Sequence, residues 1–158
     1  MKKMNRKGFT LIELLAVIVV LALIMVLAVP AILNSMNNAK KKTFQMYGTR
    51  LLEKAFEEYE SEKMLNSVTS ARYNENICYT ITALGFENHG SYEGFVEVHG
   101  SSLLGETTYT LHLTDDTFAY NGVAAVDVRG NTSKISITAT DINTVHDNFK
   151  KCSIKAEG

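Results

Sequence analysis

Residues 14–33 are twenty amino acids without one charged side chain, and nothing else in this 158-residue chain restricts its fold so strongly. Twenty residues of α-helix rise about 30 Å, the thickness of bilayer hydrocarbon, so the run is a membrane-spanning candidate. A carboxylate, Glu13, stands at its head. By insertion scales an acidic residue in such a helix costs roughly 2 to 3 kcal/mol, which makes Glu13 a functional residue by default. Pro30, the only proline in the chain, falls inside the run. It deletes one backbone hydrogen bond and tends to kink a helix.

Basic residues lie on both sides of this segment, with Lys2, Lys3, Arg6 and Lys7 before it and Lys40, Lys41 and Lys42 after it. Charge therefore orients it only weakly. The formal charge of −1 conceals a division. Residues 1–8 hold four of the 16 basic groups and no acidic one, which leaves 12 basic against 17 acidic side chains, or −5, for residues 9–158. An acidic chain without a basic, aromatic-lined patch argues against strong nucleic-acid binding. The length beyond the apolar run suffices for one modest domain.

Past residue 34 the helical pattern becomes one-sided. Phe44, Tyr47, Leu51, Leu52, Ala55, Phe56 and Tyr59 recur at helical spacing and predict a stripe packed on a domain. Continued to residue 62, the helix is expected to reach about 80 Å. Gly48 interrupts the stripe at a cost of about 1 kcal/mol, for no reason visible in the sequence. Residues 64–76 read as a loop, and residues 77–86 as a strand or, preferably, a short helical turn capped by Thr80. The period then becomes two. Residues 95–99, 107–114 and 117–121 read as antiparallel strands with Asp115-Asp116 in a hairpin, and residues 125–128 and 134–138 as further strands separated by a turn at residues 129–131. Ile142, Val145, Phe149 and Cys152 then fall on one face of a short C-terminal helix, with Thr140 or Asp141 as its cap. The fold class is α+β: a long helix, an antiparallel meander and a short closing helix.

The leader ending in Lys7-Gly8, followed by Phe9-Thr10-Leu11-Ile12-Glu13, resembles the class III signal of the type IV pilin and pseudopilin family. The resemblance implies cleavage by prepilin peptidase after Gly8, N-methylation of Phe9, and assembly through Glu13, the fifth mature residue. It divides the chain into a leader at residues 1–8, a membrane and filament-core segment at residues 9–33, and a pilin domain at residues 34–158. Pro30 matches a position where family members commonly carry proline. Ala22 stands where many carry glycine, so melting between residues 22 and 30 is not implied. The family also implies partners: other copies of the chain in a helical homopolymer, other pilins, prepilin peptidase, an inner-membrane assembly platform with its ATPase, and membrane lipid before assembly. Its expected location is the membrane first and an extracellular filament afterwards.

Cys78 and Cys152 are the only cysteines. An exported domain meets an environment in which disulfides persist, and many pilins pin their C-terminal segment with one. Two buried free thiols are the alternative. Lys40 to Lys42 and the acids Glu53, Glu57, Glu58, Glu60 and Glu62 read either as a stop-transfer cluster and a solvated face, or as complementary charges of staggered neighbours. His89, His99, His112 and His146 lack metal-ligand spacing, and no phosphate loop or nucleophile motif is present, so neither catalytic residue, metal nor cofactor is expected. Asp115 and Asp116 resemble acids that bind calcium in some pseudopilins, but are equally ordinary turn residues. Two further readings stay open: a pseudopilin of a secretion or DNA-uptake system, and a secreted or anchored binding domain behind an ordinary signal peptide cut near Val29.

Overall fold

The computed structural model describes residues 9–65, 76–86, 90–100, 107–130 and 132–156. Its longest element is α1, Leu11–Leu65, an unbroken helix that contains Pro30. The chain divides into two compact units, Met1–Ala39 and Lys40–Gly158. In the first, every large apolar side chain of the helix is exposed, from Leu11 at 84 % to Leu33 at 54 %. This helix is long and apolar enough to cross a membrane.

The second unit begins on the remainder of α1 and continues through β1 (Asn76–Thr80), β2 (Glu93–His99), β3 (Thr108–Thr114), β4 (Ala119–Ala124), α2 (Ala125–Gly130) and α3 (Ala139–Ala156). The strands form one sheet in the order β1-β2-β3-β4, each pair antiparallel. Alternation along the strands gives the sheet two different faces. Tyr79, Val96, Val98, Leu111, Leu113 and Tyr120 join Phe44, Leu51, Leu52, Ala55 and Tyr59 of α1 in a continuous core. The opposite face carries Cys78, Phe95, Glu97 and His112, and α3 packs across all four strands there. The expected α+β layout of long helix, meander and closing helix is therefore present.

Gly48 now has a physical account. A methyl group at this position would fall 2.8 Å from Leu111 Cδ2 and 3.4 Å from Tyr120 Cε2, so the missing side chain lets α1 lie close on β3 and β4. Tyr47 is half-buried and stacks on Tyr92 at 4.1 Å, whereas Phe56 is exposed and reaches Tyr109 at 5.7 Å. The predicted stripe is thus buried through most of its length and open at Phe56.

Three expectations about local structure are corrected. The preferred helical turn at residues 77–86 begins as β1, whose Ile77 and Tyr79 pair with Val98 and Val96. Thr80 still acts as a cap, accepting the Ala83 N–H at 3.2 Å, but for the turn that follows the strand. Residues 125–128 form helix α2 instead of a strand. Val126 is 78 % exposed while Val128 is buried, and the buried Gln45 side chain donates from Nε2 to the Val128 carbonyl at 2.7 Å, filling an acceptor that a short helix leaves open. At residues 134–138 a single bridge, Ser136 to Ala119, replaces the expected strand. The turn expected at residues 129–131 lies partly within α2, and Asn131 is outside the described residues, as are residues 66–75 of the expected loop.

The Asp115-Asp116 hairpin forms as expected, with Asp115 Oδ1 accepting the N–H groups of Thr117 and Phe118 at 3.0 and 2.7 Å. Asp116 adopts φ 66°, a left-handed conformation that Asp tolerates better than most residues. The closing helix starts earlier than Thr140. The Thr138 carbonyl accepts the Ile142 N–H, and Asp141 lies in the first turn, with its carboxylate receiving Asn121 Nδ2 at 3.0 Å and the Ser136 hydroxyl. Asp141 thus ties the helix start to β4 instead of capping it.

Candidate functional site

At the head of α1, Thr10 and Glu13 satisfy one another. The Thr10 N–H and hydroxyl donate to Glu13 Oε2 at 2.8 and 3.0 Å, and the Glu13 N–H points back to Thr10 Oγ1 at 3.3 Å. This is a capping box, in which a hydroxyl residue and an acid three positions later share the unpaired donors of a helix start. Its signal, Thr10-x-x-Glu13, stands in the sequence, yet reading Glu13 only as an unpaired charge in a membrane helix missed it. Glu13 has an intrachain partner, so its cost in the apolar segment is partly offset before any other subunit arrives. Thr10 belongs to the site on the same grounds.

The other predicted residues of this end are dispersed. Phe9 is 91 % exposed directly before the box. Gly8 lies outside the described residues. Pro30 is inside α1, seventeen residues beyond Glu13 or about 25 Å along the helix, and does not share a site with it. The helix continues without interruption from Ala22 to Pro30.

In the second unit Cys78 and Cys152 are joined in a disulfide across a sequence separation of 74, with Cα atoms 5.9 Å apart. The bond fastens α3 to β1. It is supported by the histidines. His146 of α3 places Nδ1 2.6 Å from Glu93 Oε2 and Nε2 3.1 Å from Asp116 Oδ1. Only the protonated ring donates to both carboxylates. Burial pulls the pKa of His146 down, but hydrogen bonds to Glu93 and Asp116, with their charges, outweigh it and the net shift is upward. His112 is shifted the other way: burial lowers its pKa, and Glu97, with Oε2 4.0 Å from Nε2, offsets this only in part. No group of His, Cys, Asp or Glu among the described residues is arranged to hold a metal ion. His89 lies outside them.

The acidic end of α1 is partly engaged within the chain. Glu57 pairs with Lys54 at 3.1 Å, Glu60 with Lys63 at 4.0 Å, and Glu62 accepts the Tyr79 hydroxyl at 3.2 Å. Lys42 donates to Gln45 at 3.1 Å.

The chain thus combines an apolar helix headed by a capped carboxylate with a disulfide-fastened helix-on-sheet domain. Residues 3–29 match the family described as the prokaryotic N-terminal methylation motif. This motif is the class III signal carried by type IV pilins and pseudopilins, and it supports the resemblance of residues 1–33 to that family. The family is structural, is processed by prepilin peptidase, self-polymerises, and is anchored in the membrane before assembly. No curated protein and no solved structure matches the chain.

Proposed function

We propose that this chain is the structural subunit of a type IV pilus, cut after Gly8, methylated on Phe9, and polymerised through residues 9–33 into an extracellular filament for adhesion, motility or aggregation. The observation that carries the reading is the combination of the methylation motif with an apolar helix whose large side chains are all exposed in the isolated chain. Such a surface requires lipid or copies of itself, and the capped Glu13 gives that helix one polar group for pairing with a neighbour's amino terminus. On this reading the assembly platform and its ATPase extract the subunit from the membrane, and residues 34–158 face outward. A pseudopilin role is the second reading. A domain carrying a four-stranded sheet and two helices beyond α1 is more than a short piston needs, which favours the pilin. Shearing cells and weighing the protein in the released fibres tests the choice. A pilin is abundant there; a subunit that stays bound to cells carrying many pili is a minor or pseudopilin component.

A further inference from the structure

A cavity of about 230 Å³ lies between α3 and the outer face of the sheet. Phe95 and Glu97 of β2, His112 of β3, Asn148 of α3 and the Cys78–Cys152 disulfide form its walls. Three of these side chains have hydrogen-bonding capacity that the fold leaves unused. Glu97 Oε2 has His99 Nε2 at 3.6 Å and His112 Nε2 at 4.0 Å, both beyond hydrogen-bond distance. His112 Nδ1 is buried and has no partner among the described residues. The Asn148 carboxamide makes no hydrogen bond with described residues. A buried polar atom such as His112 Nδ1 is normally paired, and the partly exposed Glu97 and Asn148 bring further polar groups to the same cavity.

Charge and shape narrow what fills it. Among the described residues Glu97 is the only carboxylate on the wall and no lysine or arginine lines it, so an anion is disfavoured. Phe95, which stacks on His112 at 4.5 Å, and the disulfide supply apolar surface beside the polar groups. We propose that this cavity binds a primary ammonium group carried on a short alkyl chain. The three N–H donors of the ammonium match the Glu97 carboxylate, the Asn148 carbonyl oxygen and an imidazole nitrogen of His112, and the alkyl chain lies against Phe95 and the disulfide. Burial lowers the His112 pKa, so at neutral pH the ring is uncharged and offers an acceptor instead of repelling the cation. A free alkylamine and a lysine side chain from another chain present the same chemistry.

The test follows the side-chain resonances of His112 and Asn148 by NMR in the full-length chain in detergent micelles at neutral pH. Butylammonium should give saturable shifts. Tetramethylammonium, which has the charge without N–H donors, and butyrate, which has the opposite charge, should not. Glu97→Gln should weaken binding about ten-fold, and Asn148→Leu should weaken it with the disulfide still formed. Nα-acetyl-lysine amide separates the sources: binding equal to butylammonium assigns the site to a lysine side chain, and exclusion of this larger probe while butylammonium binds assigns it to a free amine. Absence of a saturable response to butylammonium, an equal response to tetramethylammonium, or unchanged binding by Glu97→Gln overturns the proposal.

Discussion

Glu13 is partnered by Thr10 within the chain, and the proposed assembly would give it a second partner. Within one chain its carboxylate takes the Thr10 N–H and hydroxyl, while assembly would set it against the amino terminus at Phe9 of a neighbour, an ion pair strengthened by low dielectric. Removing the acid should leave membrane insertion intact and greatly reduce fibre yield. Thr10→Val deletes only the hydroxyl, so it should cost about 1 kcal/mol of helix capping yet retain fibres, because the carboxylate is still there. Cells expressing only Glu13→Ala and shedding fibres at normal yield would show that the acid merely reaches the headgroups. Gly48 is the other informative residue. In an exposed helix Gly48→Ala would stabilise, but here the new methyl group meets Leu111 at 2.8 Å, so overpacking should destabilise the domain by about 1 to 3 kcal/mol. A raised melting temperature for Gly48→Ala would refute the close approach of α1 to β3.

At the scale of elements, α3 depends on the covalent bond to β1 and on His146. The disulfide closes a loop for which chain entropy alone gives about 4 kcal/mol. The contribution of His146 depends on pH. Its folded pKa is raised, so the stability it adds is fully present below the ordinary histidine value of 6.5 and is lost as pH rises through the folded value. His112 has a lowered pKa, and its share is present above 6.5 and lost as pH falls through its own folded value. The two opposing slopes place the greatest stability of this layer near 6.5. Melting curves of wild type and His146→Gln across this range check it: the advantage of the wild type should be largest on the acidic side and vanish on the alkaline side. An advantage that grows with rising pH would mean that His146 is not clamped as an imidazolium.

For the molecule as a whole, the proposed processing after Gly8 is the step to test. With Gly8→Val the peptidase meets a side chain beside the scissile bond, and intact mass should report a protein that keeps residues 1–8; wild type should begin at Phe9. A wild-type mature protein retaining Met1 would remove the peptidase from the account. The uncharged run and the motif at residues 3–29 could be read without a structure because each acts through local order and composition, which a chain carries wherever it folds. The stripe from Phe44 to Tyr59, the β2–β3–β4 meander and the face of α3 were legible for the same reason: their periods of 3.6 and two are written residue by residue. Tertiary contact decided the rest. Residues 77–80 became a strand because Val96 and Val98 lie beside them, and residues 125–128 a helix because Gln45, some eighty positions earlier, accepts their docking. Gly48 was only an interruption until Leu111 and Tyr120 occupied the space of its absent side chain, and His146 was only one of four histidines until the hairpin and β2 brought Asp116 and Glu93 to its two nitrogens. Such features depend on pairs of residues far apart in the chain, whose meeting is fixed by the packing of helix and sheet and leaves no local pattern in either segment.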